Sequence, residues 1–183
     1  VKDEEKAVQT VLNFLNDDSK RTLLMRGYDT DAKLRVVFSC LNKIFDRGII
    51  STSSMSNVSE LINHAFKIKL LPDNVKSTST YELGDMEILI TSYATSTKFK
   101  FNGNENTFTT FFPVQTILND SKRYEKFLLR LKDNNSRKII FVTTNEWSIN
   151  DWDIEKYVDE IFFFEVENDN PELMVNLRSN GAI

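Results

Sequence analysis

In 183 residues the sequence holds one cysteine and one histidine. With Cys40 alone there is no internal disulfide, and an intracellular home, cytoplasmic or nuclear, is the expectation. Cys40 lies in VVFSCLNKIF, a helical pattern in which a packed small hydrophobe is its ordinary role. His64 lies in a second helical pattern, SELINHAF, far along the chain. A zinc site is therefore not expected, and neither is a Cys/His nucleophilic pair. No apolar run approaches the ~20 residues that span a bilayer, and no signal-peptide pattern heads the chain, so no membrane partner is expected. Repeats and low-complexity tracts are missing too. Charge of one sign is also in short supply: a net −4 is too negative for a surface that coats nucleic acid, which leaves only a local patch for that purpose. The chain opens on Val1 rather than Met, so a fragment of a larger protein is expected.

What is present is a soluble, globular composition, 40% apolar and 27% charged, of a length that suits one domain spanning 1–183. Residues 3–16 place Val11, Leu12 and Leu15 on one helical face. TLLMR (22–26) is a short apolar strand. Residues 32–45 carry a helical stripe of Leu34, Val37, Phe38, Leu41 and Phe45, with Gly48 just past the expected end. Further strands are expected at IISTS (49–53), MEILITS (86–92), RKIIFVTT (137–144) and EIFFFEV (160–166). Helices fall between them, one opened by Asn57 with Glu60, one by Asp120, and one by Ser148 with Asp151. Strands alternating with helices predict right-handed crossovers. The fold class is α/β, a three-layer αβα domain with a five-stranded, mainly parallel sheet.

One stretch breaks the rhythm. TKFKFNGNENTFTTFF (97–112) alternates polar and aromatic residues around an Asn-Gly turn, which predicts an inserted β-hairpin. Phe99 and Phe101, interleaved with Lys98 and Lys100, would share a face and offer a stacking surface or a partner-binding prong. Packing of those rings on the domain is the bland alternative.

The segment GYDTDAKL (27–34) follows a strand and opens a helix, as a phosphate-binding loop does. Gly27 and Lys33 stand at the separation of the loop's first glycine and its lysine. Ala32 and Leu34 occupy the other two defining positions. A second segment, IIFVTTNEWSINDWDIEKYVDEIFFFEV (139–166), resembles the later part of AAA+ ATPase domains. That resemblance implies a P-loop core, with Asn145 in the place of the sensor that contacts the terminal phosphate. Asp159 matches the acid of an Arg-x-Asp pattern, but Lys156 and Tyr157 stand where the arginine finger is expected. NPELMVNLRS (170–179) would be at most the start of a lid.

The departures have physical consequences. Ala32 adds a Cβ where backbone must approach phosphate, and Leu34 cannot ligate Mg²⁺. Asp29 and Asp31 set two carboxylates beside the place of a triphosphate, with Lys33 expected to pair with one of them. The third strand should supply a magnesium-holding acid, and there MEILITSY offers Thr91 and Ser92. The expectation is a degenerate AAA+-like domain with no catalytic residues, no metal, and ATP or ADP disfavoured as cofactor. Gly27, Lys33 and Asn145 mark what is left of its nucleotide site. It would serve as a structural or protein-interaction module within an assembly of the initiator or chromatin type. Two alternatives stay open. One is a working nucleotide switch or ATPase using Lys33, Thr30 or Thr91, and Asn145. The other is a nucleic-acid module built on the 97–112 hairpin with Lys122 and Arg123. A metal nuclease using Asp73 and Glu87 lacks its lysine, since Leu89 stands in that position. Acids 151, 153 and 155 suit a helix start, and Trp147 and Trp152 suit packing of that helix.

Overall fold

The computed structural model describes residues 2–94, 101–114, 120–144, 146 and 153–183. Among these residues helices α1 (Asp3–Asn16), α2 (Thr30–Ile44), α3 (Val58–Phe66), α4 (Ser121–Asp133) and α5 (Pro171–Ser179) are interspersed with seven strands. The strands are β1 (Thr22–Arg26), β2 (Arg47–Thr52), β3 (Thr80–Leu83), β4 (Met86–Ser92), β5 (Thr107–Phe111), β6 (Lys138–Val142) and β7 (Glu160–Phe163). They form one sheet in the order β3-β4-β2-β5-β6-β1-β7. Every pairing is parallel except β3 with β4.

Two cores sandwich the sheet. Leu23, Met25, Ile50, Ile88, Phe108 and Ile140 point to one side, where α1, α2, α3 and α5 cover them. Leu24, Phe111, Ile139 and Phe141 point to the other, against Phe127 of α4 and Ile154 of a short 3-10 helix (Ile154–Tyr157). A parallel sheet with both faces covered is what the continuous apolar runs of β1 and β6 require. Cys40 is packed within α2, and burial pushes its thiol up to about 11, the behaviour of a hydrophobe rather than a nucleophile.

The five expected strands are present, and two more were hidden. The first, β5, corrects the hairpin reading. Residues 107–111 are not a hairpin arm but a strand in the middle of the sheet, paired with β2 on one side and β6 on the other. Thr-Phe alternation suggests a half-wet strand, yet all three threonines are buried, and Thr107 and Thr109 each share a hydrogen bond with the Ser136 hydroxyl. Phe101 is described and is 43% exposed, whereas Phe99, Lys98 and Lys100 lie outside the described residues. Among the described residues a hairpin forms instead at β3–β4, turned through Gly84 (φ +63°) and Asp85, whose N–H donates to Asn42 Oδ1 at 2.8 Å.

Smaller corrections have equally local causes. Gly48 does not end α2 but sits inside β2, where the Phe108 ring lies 2.2 Å from the place a Cβ would take. Asn57 precedes α3 without a side-chain capping bond. Residues 171–179 form α5, which packs Met174, Leu173 and Leu177 onto the core rather than standing off it as a lid. The cap expected from Ser148 with Asp151 lies outside the described residues, as do Trp147 and Trp152.

Candidate functional site

The loop between β1 and α2 is three residues long, Gly27 to Asp29. The helix therefore begins at Thr30, ahead of Lys33, and leaves little backbone to wrap an anion. Gly27 holds φ +136°, and a Cβ there would meet the Phe164 carbonyl oxygen at 2.5 Å. The glycine is required by the close approach of the chain after β7.

The groups that a phosphate would use already have partners. Asp29 is the N-cap of α2, and its Oδ1 accepts the Ala32 N–H at 3.0 Å. Its Oδ2 accepts from Asn170 Nδ2 at 3.1 Å, tying the helix start to the segment before α5. Glu146 Oε1 accepts the Gly27 N–H at 2.9 Å, so a carboxylate from the β6 side lies on the loop where an outside anion would go. The same carboxylate pairs with Arg26 at 2.7 Å and accepts from Thr143 Oγ1 at 3.2 Å. Arg26 also reaches Glu155 at 3.0 Å.

Lys33 is fully buried. Its Nζ donates to the Gly27 carbonyl at 2.6 Å and the Thr143 carbonyl at 2.5 Å, and lies 3.0 Å from Thr143 Oγ1. Burial pushes the ammonium down to about 7, against the upward pull of the Glu146 and Asp29 carboxylates. The expected pairing of Lys33 with Asp29 or Asp31 does not form: Asp29 caps the helix, and Asp31 lies 2.9 Å from His64 Nδ1. Lys33 acts as a clasp from α2 to the ends of β1 and β6.

The structure scatters the other expected residues. Thr30 Oγ1 donates to the Thr144 carbonyl at 3.2 Å. Thr91 and Ser92 end β4, which is separated from β1 by β2, β5 and β6, so the strand expected to carry the magnesium acid is the wrong one. The strand beside β6 is β5, and it ends in Phe111, Phe112 and Pro113 without an acid. Asn145 lies outside the described residues. Asp159 is at the opposite end of the strands, accepting the N–H groups of Arg21 at 2.7 Å and Thr22 at 3.0 Å where β1 begins. Asp73 and Glu87 sit in separate exposed pairs, with Lys69 and Arg47. Among the described residues no three His, Cys, Asp or Glu side chains are grouped to hold a metal ion, and no helix is long and apolar enough to cross a membrane.

Glu146, Arg26 and Thr143 are the site residues that sequence reasoning missed. One signal was available: an acid directly after Thr-Thr-Asn at the end of the clearest buried strand.

No family model matches the sequence, and no curated protein does. Solved structures do match the fold. The Sulfolobus solfataricus SWI2/SNF2 ATPase core in complex with dsDNA superposes with a TM-score of 0.53 at 18% identity. The match covers 85% of this chain and 35% of that one. The large terminase of a thermophilic bacteriophage gives 0.56 at 12% identity, covering 96% of this chain and 49% of that one. The chain shares its α/β fold with this ATPase core and this terminase. It spans about a third and about half of the lengths of these two neighbours. At such identities the likeness is one of fold alone, and the AAA+ subtype is a finer statement than it carries.

Proposed function

We propose that this chain is a non-catalytic P-loop-type domain, AAA+-like in the order of its segments, that serves as a structural or protein-interaction module of a larger assembly. One observation carries the reading: the phosphate-loop lysine and the Gly27 amide are held by the chain's own carbonyls and carboxylate. A triphosphate would have to displace Glu146 from Gly27 and Arg26, free Lys33 from two carbonyls, and approach Asp29. Carboxylate and phosphate ~4 Å apart repel by about 1 kcal/mol in water and about 4 kcal/mol near a protein surface. Leu34, fully buried in the core, stands where a hydroxyl would ligate Mg²⁺. The module role is supported by an apolar groove of about 580 Å³ along α4, bounded by Leu128, Leu129, Leu131 and Tyr157, with Leu129 62% exposed.

The test is calorimetric titration with ATP, ADP and adenosine, with and without Mg²⁺. No heat from ATP beyond that of adenosine is expected at millimolar concentration. Micromolar ATP affinity that adenosine lacks, lost in Lys33→Met, would refute the reading and make the domain a nucleotide switch.

A second reading has its own observation. Helix α4 carries Lys122, Arg123, Lys126, Arg130 and Lys132 against Glu125 and Asp133, a local basic patch on an acidic chain. The neighbour described in complex with dsDNA makes nucleic acid the partner to try on it.

A further inference from the structure

Where β2, β4 and β5 run side by side, the two faces of the sheet differ in chemistry. Toward α2 and α3 they present Ile50, Ile88, Ile90 and Phe108, part of the larger core. The opposite face presents Ile49, Ser51, Thr91, Thr109 and Phe111, and a cavity of about 190 Å³ lies against it. Ser51 stands in register with Thr91 on one side and Phe111 on the other, and Ile49 with Thr109. Arg130 and Asn134, at the end of α4, and the pair Phe101 and Asn102 complete the wall. A strand covered on both faces gains most from apolar side chains, so hydroxyls around a void need a reason.

Part of this polar wall satisfies itself. Asn134 Nδ2 donates to Thr109 Oγ1 at 2.9 Å, Thr109 and Ser136 share a hydrogen bond at 2.8 Å, and Asn134 Oδ1 accepts the Ser136 N–H at 2.9 Å. That network fixes the floor. Ser51 and Thr91 are different. They are 6% and 9% exposed, line the cavity, and make no side-chain hydrogen bond among the described residues. Their hydroxyls open onto the cavity rather than onto a protein partner, and the two residues sit opposite each other in register, so a ligand there can exchange hydrogen bonds with both. Water alone would suit a cavity lined only by hydroxyls. This one also has flat apolar walls in Ile49 and Phe111, with an aromatic ring, Phe101, at its edge.

We propose that the cavity takes one nucleobase. The ring would lie against Phe111 and Phe101, while the Ser51 and Thr91 hydroxyls, each donor and acceptor, meet the alternating donors and acceptors of its edge. Arg130 supplies positive charge beside the attached sugar or phosphate. The volume is below the roughly 300 Å³ of drug-sized pockets, so it fits a ring system and not a whole nucleoside triphosphate. None of the lining residues belongs to the Lys33 clasp, so the site is independent of the phosphate loop's fate. The base comes either from a free nucleoside or from an unstacked position of a single strand.

The experiment titrates the ¹⁵N-labelled chain with adenosine, guanosine, cytidine and uridine, and in parallel with short single-stranded oligonucleotides, following the amides of Ser51, Thr91 and Asn102. Saturable shifts at these amides are expected, and Thr91→Val, which keeps the volume and removes the hydroxyl, should weaken binding by about fivefold or more, the worth of one hydrogen bond. Saturation by nucleosides assigns the free form; saturation by oligonucleotides alone, with the same sensitivity to Thr91→Val, assigns a strand. Ser51→Ala and Phe101→Leu carry the test should Thr91→Val fail to fold. No saturable shift at millimolar ligand from either source overturns the proposal. So does binding that Thr91→Val and Ser51→Ala leave unchanged.

Discussion

Replacing Lys33 by Met separates a clasp from a ligand-binding lysine. In a loop built for phosphate the lysine serves the ligand, and its removal leaves the empty fold as stable as before or more so. Here Nζ is donor to the Gly27 and Thr143 carbonyls, and Met keeps the apolar stem but offers no donor. A buried acceptor left without a partner costs about 1–3 kcal/mol, so the two together put the loss at about 3 kcal/mol. For a domain of this size that lowers Tm by about 6–12 °C, at about 2–4 °C per kcal/mol. The sign of the pH dependence is fixed by linkage. Burial brings the folded-state pKa down to about 7 from the ordinary lysine range. Between the two values the unfolded chain holds a proton that the folded chain has released, so stability rises with pH across that window and is lost as pH falls through 7. The gap between wild type and Lys33→Met should therefore widen from pH 7 toward pH 10. Thermal melts by circular dichroism at pH 6, 8 and 9.5 read both effects. An unchanged or higher Tm for the variant at pH 8, or a gap that narrows as pH rises, would refute the clasp.

Gly27→Ala should cost about 2–4 kcal/mol, because φ +136° strains any side chain and the new Cβ meets the Phe164 carbonyl oxygen at 2.5 Å. Urea denaturation would show it as a lower midpoint with the slope unchanged. Hydrogen bonds from the Arg21 and Thr22 N–H groups hold the Asp159 carboxyl below its usual value. Its stabilising effect is then present above the ordinary aspartate pKa and lost as pH falls through the lowered one. Asp159→Asn should lower Tm at pH 7, with the difference closing as the melts are repeated toward pH 3; a difference that grew in acid would overturn that assignment.

The parts of the fold that were legible in the sequence are those whose burial is apolar. Strands β1 and β6 stand out because apolar runs such as TLLM and IIFV have no competing pattern, whereas β7 shows the same kind of run at a half-exposed edge of the sheet. Strand β5 did not stand out, because a threonine looks the same in sequence whether its hydroxyl meets water or the buried Ser136. Misplacing β5 also misplaced the strand expected to carry the magnesium acid. Strand β3 was missed for a different reason: TYEL is short, at the edge, and half-exposed, so its burial leaves little periodic trace. Gly27 and Lys33 were found from their spacing, but spacing is silent on which way a lysine turns. That depends on Glu146 and Thr143, which follow the end of β6, more than a hundred residues along the chain.

Two buried lysines clarify why the clasp is an architectural choice and not an accident of one loop. Lys138, near the start of β6, is 1% exposed and donates to the Phe14 carbonyl at 2.9 Å, the Asp17 carbonyl at 2.6 Å and the Lys20 carbonyl, with its Nζ 4.7 Å from the Phe14 ring. It takes up carbonyls where α1 ends and the chain turns into β1, the end of a helix where positive charge is favoured. Lys33 performs the same operation at the other end of the strands, joining the ends of β1 and β6. Both tie β1 to its neighbours, one at each end. In a nucleotide-binding loop the corresponding charge is left for the ligand, and stability is given up for binding. Here that charge is consumed by the frame, and Glu146 occupies the amide that remains. A ligand for this chain is therefore better sought where polar groups are still unspent, at the Ser51 and Thr91 hydroxyls on the far side of the sheet.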